Sequence, residues 1–110
     1  MKRFCLALDL KDDPELIATY LKYHENVSPI IKASIINAGI TIMDIYCTGN
    51  RLFMIMETSD DFDFDKKAAM DAANEKVQEW EALVWNLQQA LPWAKPGEKW
   101  VLMNQIFQLY

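Results

Sequence analysis

The only histidine of the chain, His24, follows Tyr20 by four residues. Side chains four residues apart lie on one face of an α-helix, so a helix here would bring an imidazole and a phenol together. Imidazole, whose pKa in a model peptide is about 6.5, can release and recover a proton near neutral pH. The pair therefore predicts an acid–base site. From spacing alone, a structural histidine with satisfied hydrogen bonds is the more frequent alternative.

The flanking residues predict the helix that positions this pair. Asp13 can cap free backbone N–H groups, and Pro14 suits the first helical position. Four side chains then recur with the spacing of one buried helix face, namely Ile17, Tyr20, Leu21 and His24. The histidine would end an apolar stripe at the rim of a core, where a pocket can open.

The rest of the chain predicts an α+β fold. In chain order we expect a strand over residues 2–10, a helix from Pro29 to a stop at Gly39, strands over 40–47 and 51–58 joined by the three-residue turn 48–50, a short helix begun by the acidic segment 60–65, a helix over 74–89, a loop over 92–100 and a last strand over 101–110. This order predicts a ferredoxin-like domain over 1–110, with a four-stranded antiparallel sheet and helices on one face. The other face of the sheet is too apolar to remain exposed to water, so we expect a second copy of the chain to cover it in a homodimer.

Composition excludes several classes of partner. Asp and Glu number 16 against 11 Lys and Arg, and a net charge of −5 argues against binding nucleic acid. No apolar run approaches the roughly 20 residues that span a bilayer, so neither a membrane segment nor a signal peptide is expected, and we predict a cytoplasmic protein. Cys5 and Cys47 lie in strand-like runs and are predicted to be buried free thiols without zinc-site spacing.

Three stretches, which together cover nearly the whole chain in order, resemble the L-rhamnose mutarotase family and its L-fucose-acting relatives. They are Tyr20-Leu21-Lys22-Tyr23-His24 with Asn26 and Pro29, then Gly39 leading to Asp44-Ile45-Tyr46 and Asn50-Arg51-Leu52-Phe53, and finally Val77-Gln78-Glu79-Trp80 with Gln105-Ile106-Phe107-Gln108-Leu109. The resemblance implies a dimeric, ferredoxin-like enzyme of the α/β-barrel type. It would interconvert the α and β anomers of a 6-deoxy-L-hexose without a cofactor or metal.

The resemblance also implies roles for individual residues. His24 would be the proton donor, and Tyr20 would contact the sugar. The family's tandem tryptophan is matched only at Trp80, with Glu81 at the second position, and a sugar-contacting tyrosine of the family is replaced by Met43; all three positions are expected at the substrate as well. The hairpin run 48–58 and the loop 92–100 are more similar to the L-fucose-acting branch, which favours L-fucose over L-rhamnose.

Mutarotation suits a single imidazole. The ring oxygen gains a proton, the anomeric hydroxyl loses one, the aldehyde rotates and the ring closes on its other face, so one group with a pKa near neutrality can serve both directions. Asp9, Asp44, Glu81, Tyr20 and water are all possible partner bases.

Several interpretations stay open at this point. Trp93 and Trp100 could form a lid over the pocket or a subunit contact. A non-catalytic dimer that binds a small ligand is the alternative function, and a cofactor-independent oxygenase on a similar dimeric barrel is a weaker one.

Overall fold

A computed structural model describes residues 1–110 and contains five strands and four helices. In chain order they are β1 (Lys2–Leu10), α1 (Pro14–Tyr23), α2 (Pro29–Asn37), β2 (Ile40–Thr48), β3 (Arg51–Thr58), α3 (Phe64–Ala72), α4 (Glu75–Trp85), β4 (Gln88–Gln89) and β5 (Val101–Leu102). The strands form one antiparallel sheet in the order β2-β3-β1-β4. This topology confirms the predicted α+β, ferredoxin-like arrangement.

The fourth position of the sheet is shared by two short strands. β4 pairs with the end of β1, where Leu10 faces Gln88, and β5 pairs with its middle, where Leu6 faces Leu102. Both lie on the edge of β1 opposite β3. The sheet therefore has five strands in the four predicted positions.

Alternation along β1 decides which face of the sheet is covered. Leu6, Leu8 and Leu10 are at most 7% exposed, because the helices pack against their side of the sheet. On the other side, Asp9 accepts two hydrogen bonds from Arg51 of β3, at 2.7 and 3.1 Å. Leucine at every second position from Leu6 to Leu10 predicts this orientation from the sequence alone, and the structure agrees with it.

The helices begin where their capping residues are. The Asp13 carboxylate accepts from the backbone N–H groups of Glu15 and Leu16, and Pro14 follows it at the first helical position. Ser28 caps α2 in the same way, ahead of Pro29. Asp63 begins α3, which confirms that the acidic segment starts a short helix.

Three predicted elements differ from the structure. The hairpin loop has two residues, since Thr48 pairs with Arg51, and Gly49 takes a positive φ of 55° as the first residue of a type II′ turn requires. The helix predicted over 74–89 ends at Trp85, and the next residues hydrogen-bond to the end of β1 instead. The last strand stops at Leu102: the Met103 N–H still donates to the Cys5 carbonyl oxygen of β1, but no backbone hydrogen bond joins residues 104–110 to the sheet.

The prediction of two buried thiols was partly wrong. Both cysteines are free, as expected, but Cys47 is exposed and Cys5 is only partly buried. Cys47 lies next to the hairpin turn, where its thiol contacts the Gly49 carbonyl oxygen at 3.5 Å. At the end of a hairpin a strand position has fewer neighbours to bury it.

The residue between α2 and β2 has to be glycine for two separate reasons. Gly39 has a φ of 95°, and a Cβ placed on it would lie 2.7 Å from the Ser59 side-chain oxygen. We predict that Gly39→Ala lowers the free energy of unfolding by about 1–3 kcal/mol, measured by urea denaturation. Gly49→Ala is the matched control, because its φ is also positive but the space around it is open, and it should lose less. Equal losses would show that the contact with Ser59 has no energetic consequence.

Candidate active site

A cavity of about 880 Å³ lies between the helices and the covered face of the sheet. Its wall combines an apolar floor from β1, β2 and β3 with polar side chains from the helices. All five predicted site residues line it, namely Tyr20, His24, Met43, Trp80 and Glu81. They come from α1, β2 and α4, so the fold brings together residues up to 61 positions apart in the sequence.

His24 stands at the C-terminal end of α1 with its ring in a defined orientation. Its Nδ1–H donates to the Tyr20 carbonyl oxygen, one turn earlier in the helix, at 2.9 Å. In the neutral imidazole this bond leaves the lone pair on Nε2. Nε2 is therefore the ring nitrogen that remains for a ligand in the cavity.

Aromatic rings hold the imidazole on two sides. The His24 ring lies 4.3 Å from the Tyr20 ring and 5.4 Å from the Trp80 ring, which meets it edge to face. Three of the four side chains predicted to face inward from α1 do so, namely Ile17, Tyr20 and His24. The fourth, Leu21, is 47% exposed. These contacts restrict the imidazole to one orientation, which is what an acid–base group needs.

Tyr20 is a buried phenol with one side-chain partner. It is 3% exposed, and Gln88 of β4 donates from Nε2 to its hydroxyl oxygen at 3.5 Å. Burial raises the pKa of the Tyr20 phenol above its ordinary value, the bond from Gln88 offsets part of that rise, and Cys47 adds to it. Tyr20 is thus a neutral hydroxyl at physiological pH and a donor rather than a base.

The structure separates the candidates for a partner base. Glu81 lines the cavity beside Trp80. Asp9 is on the opposite face of the sheet, bound to Arg51, and Asp44 is exposed on that same face. Because Tyr20 is neutral, Glu81 is the candidate partner base that both carries a carboxylate and lines the cavity.

The two loop tryptophans are in different places. Trp100 lines the cavity, whereas Trp93 is 63% exposed and its ring lies 5.4 Å from the Arg51 guanidinium, away from the cavity. Trp100 can therefore cover a ligand and Trp93 cannot. Tyr46 also points away from the cavity, with its ring 6.4 Å from that of Phe53.

Sequence reasoning missed several polar residues of the cavity. They are Lys32, Thr41, Lys67, Gln88, Glu98 and Lys99. Gln88 was hidden within a predicted helix, and its position follows only from the two-residue strand that pairs with β1. A stop to the helix pattern after Trp85 was the signal available, since Asn86 is a helix-ending residue.

Two further observations bear on the predicted partners. Nowhere do three His, Cys, Asp or Glu side chains meet in an arrangement that could hold a metal ion. No helix combines the length and apolar character that crossing a bilayer demands.

Comparison with known proteins identifies the family. The model of the L-rhamnose mutarotase family matches residues 3–109. The chain belongs to this family. Its members are isomerases that exchange the anomers of a sugar, and the resemblance seen in the sequence is confirmed.

Individual relatives agree with this family. An L-fucose mutarotase from Xanthomonas campestris is 46% identical over 99% of this chain and 89% of its own length. The structure is similar to that of an L-rhamnose mutarotase from Formosa agariphila, with a TM-score of 0.72, 18% identity and full coverage of both chains. A dimeric ferredoxin-like protein from an uncultured marine organism matches with a TM-score of 0.55 and 13% identity, over 96% of this chain and 90% of its own.

The buried phenol predicts a loss of stability at alkaline pH. The Tyr20 pKa is higher in the folded chain than in the unfolded chain, so the folded state keeps this proton to a higher pH. The stability that this difference provides is complete below about pH 10, the pKa of an unfolded tyrosine, and is lost as the pH rises from there through the raised pKa of the folded state. We expect the unfolding free energy of the wild type to fall more steeply above about pH 10 than that of Tyr20→Phe, measured by urea denaturation. Tyr46→Phe, which removes an exposed phenol, should give a curve parallel to the wild type. Parallel curves for all three proteins would contradict the prediction.

Proposed function

We propose that the protein is a mutarotase for a 6-deoxy-L-hexose, with L-fucose preferred to L-rhamnose. The observation that carries this proposal is the orientation of His24, whose Nδ1–H is bound within α1 and whose Nε2 is left for a ligand in the cavity. The 46% identity to an L-fucose mutarotase supports the preferred sugar. The family match supports the reaction.

Ring opening and ring closure each require two proton transfers, one at the ring oxygen and one at the anomeric oxygen, and we assign those at the ring oxygen to His24. Protonated His24 donates from Nε2 to the ring oxygen as the C1–O5 bond breaks, while the anomeric hydroxyl gives up its proton. The open-chain aldehyde rotates about C1–C2. Its carbonyl oxygen then takes back a proton as the former ring oxygen attacks C1 from the other side and returns its own proton to His24 Nε2. No electrons are gained or lost, so the proposal needs no redox cofactor.

Glu81 is our proposed acceptor for the anomeric proton. It follows Trp80 on α4, and its carboxylate accepts from Gln78 Nε2 at 3.4 Å while still lining the cavity. A carboxylate and an imidazole on one cavity can hold the acid and base forms at the same time, which both directions of the reaction require.

Apolar groups of the cavity suit the rest of a deoxysugar. The Trp80 ring can stack on the C–H face of a pyranose, and Met43, on the covered side of β2, can contact the C6 methyl group that distinguishes a 6-deoxyhexose. Tyr20 supplies a hydroxyl donor beside the imidazole. We propose all three as substrate-binding residues.

Saturation-transfer NMR of anomer exchange tests the function. We expect the wild type to accelerate exchange of L-fucose more than that of L-rhamnose. His24→Ala should lose about 10²- to 10⁴-fold, the usual contribution of general acid–base catalysis. Tyr23→Phe is the matched control, because Tyr23 is adjacent on α1 but does not line the cavity.

Each outcome of this experiment has a distinct meaning. Sugar binding with exchange at the buffer rate would replace the proposal with a non-catalytic binding protein of the same fold. Undiminished exchange in His24→Ala would leave the reaction standing and remove His24 from it.

We also propose that the protein acts as a homodimer. The face of the sheet without helices carries two apolar registered pairs, Cys5 with Ile55 and Ala7 with Phe53, and the salt bridges Arg3–Glu57 and Asp9–Arg51 lie on either side of them. The C-terminal segment 103–110 adds four strongly exposed apolar side chains, namely Ile106, Phe107, Leu109 and Tyr110. The dimeric ferredoxin-like neighbour supports this arrangement. A cytoplasmic location and a single domain over 1–110 stay predictions from the sequence.

The oligomeric state can be measured by sedimentation velocity. We expect the wild type to sediment as a dimer and Ile55→Lys as a monomer, because a lysine in the middle of an apolar interface leaves a buried, unpaired charge. Leu83→Lys, which changes an exposed position of α4, should remain dimeric. A monomeric wild type, or a dimeric Ile55→Lys, would show that this face is not the interface.

A further inference from the structure

We propose that Gln88 is a specificity-determining residue: its side-chain amide and the Tyr20 phenol together recognise one hydroxyl group of the pyranose. This inference rests on the proposed function and extends it by naming one more substrate-binding residue and the kind of substrate group that it recognises. None of the motifs in the sequence pointed to Gln88.

The strand β4 sets the direction of Gln88. Gln88 pairs with Leu10 and Gln89 with Asp9, and side chains opposite each other in an antiparallel pair lie on the same face. Gln88 therefore points with Leu10 into the covered side of the sheet, where it lines the cavity. Gln89 is exposed and points the other way with Asp9.

The surroundings of Gln88 do not explain why it is a glutamine. It is 6% exposed, and its chain neighbour Leu87 and its cross-strand partner Leu10 belong to an apolar cluster with Tyr20, Leu52 and Val84. A methionine or leucine would fill such a position without the cost of desolvating an amide. A polar group in this place needs partners.

The amide uses little of its hydrogen-bonding capacity within the protein. A primary amide can donate twice and accept twice, and the side chain of Gln88 makes one bond, the 3.5 Å contact from Nε2 to the Tyr20 oxygen. No fully buried side-chain nitrogen or oxygen of the molecule lacks a partner, so the unpaired Gln88 carbonyl oxygen keeps accessible surface, and the cavity is the space that Gln88 lines. It is an acceptor available to a ligand in that space.

The same contact directs the Tyr20 proton. Because the Tyr20 oxygen accepts from Gln88, the phenolic hydrogen is left to donate elsewhere, and burial keeps that hydrogen on the oxygen. The pair thus presents one acceptor and one donor side by side. A sugar hydroxyl both donates and accepts, so a single hydroxyl can satisfy both groups.

This arrangement predicts discrimination rather than catalysis. A site that hydrogen-bonds a substrate hydroxyl rejects analogues that lack it or hold it in another orientation, because its buried polar groups are then left unpaired. Gln88 takes no part in the proton transfers at C1, so it should affect the binding of the sugar more than the rate of ring opening.

The test compares Gln88→Met with Gln89→Met. Both replace an amide of β4 by a thioether of similar length, but only Gln88 faces the cavity. For L-fucose we expect Gln88→Met to raise KM about 10-fold with kcat changed less than about 3-fold, since one neutral hydrogen-bonded group is lost. Gln89→Met should match the wild type in both constants.

Deoxy analogues locate the hydroxyl. L-Fucose and its 2-, 3- and 4-deoxy forms are measured with the wild type and with Gln88→Met. One analogue should already bind about 10-fold more weakly to the wild type and lose nothing more in the variant, because the group that Gln88 recognises is missing from it. A purely structural role would lower the affinity for all four sugars equally, and that result would overturn the inference.

Direct binding, followed by quenching of tryptophan fluorescence, separates this inference from the proposed function. If the wild type binds L-fucose without accelerating its exchange, the mutarotase proposal fails while the affinities of the two variants still test Gln88. If exchange is accelerated and Gln88→Met has the KM and affinity of the wild type, only the inference about Gln88 fails. A wild type that neither binds nor accelerates any of these sugars overturns both.

Discussion

The pairing of β1 on both of its edges is the constraint on which the rest of the molecule depends. One edge hydrogen-bonds to β3 from Lys2 to Asp9, and the other is shared by β4 and β5. A strand in this central position has one face for the helices and one for the outside, so its alternation sets the location of the core. Leu8 and Leu10 are fully buried for that reason, and the cavity lies on their side.

The position of the imidazole follows from how α1 begins and ends. Asp13 and Pro14 set the first turn, and ten residues later the helix stops with His24 as its C-terminal cap. A side chain at that place can bond back to the carbonyl of the preceding turn and still reach beyond the helix. The bond to Tyr20 therefore orients the ring through the backbone, which any residue at position 20 would supply, while the Tyr20 side chain is left for the ligand.

The polar groups of the site reach the cavity from elements distant in sequence, and each is held by a different means. The ring of His24 is fixed by a backbone hydrogen bond and by contact with Trp80, and the hydroxyl of Tyr20 accepts a bond from Gln88. Few of them are paired with one another within the protein. That leaves donors and acceptors for a small polar ligand inside a mostly apolar wall, the usual composition of a small-molecule site.

The sequence by itself determined the helix caps, the orientation of β1, the β2–β3 hairpin and the Tyr20–His24 pair, because each of these depends on residues within one turn or one strand. It also pointed to Trp80, Met43 and Glu81, but through resemblance to a family rather than spacing. Only the tertiary structure decided that α4 ends at Trp85, that Gln88 joins the sheet and that Cys47 is exposed, and only it left Asp44 on the face away from the cavity. The physical reason is that helix caps and strand alternation are determined by residues close together in the sequence. Strand pairing at β4 and burial at the cavity depend instead on which distant segments pack against these residues.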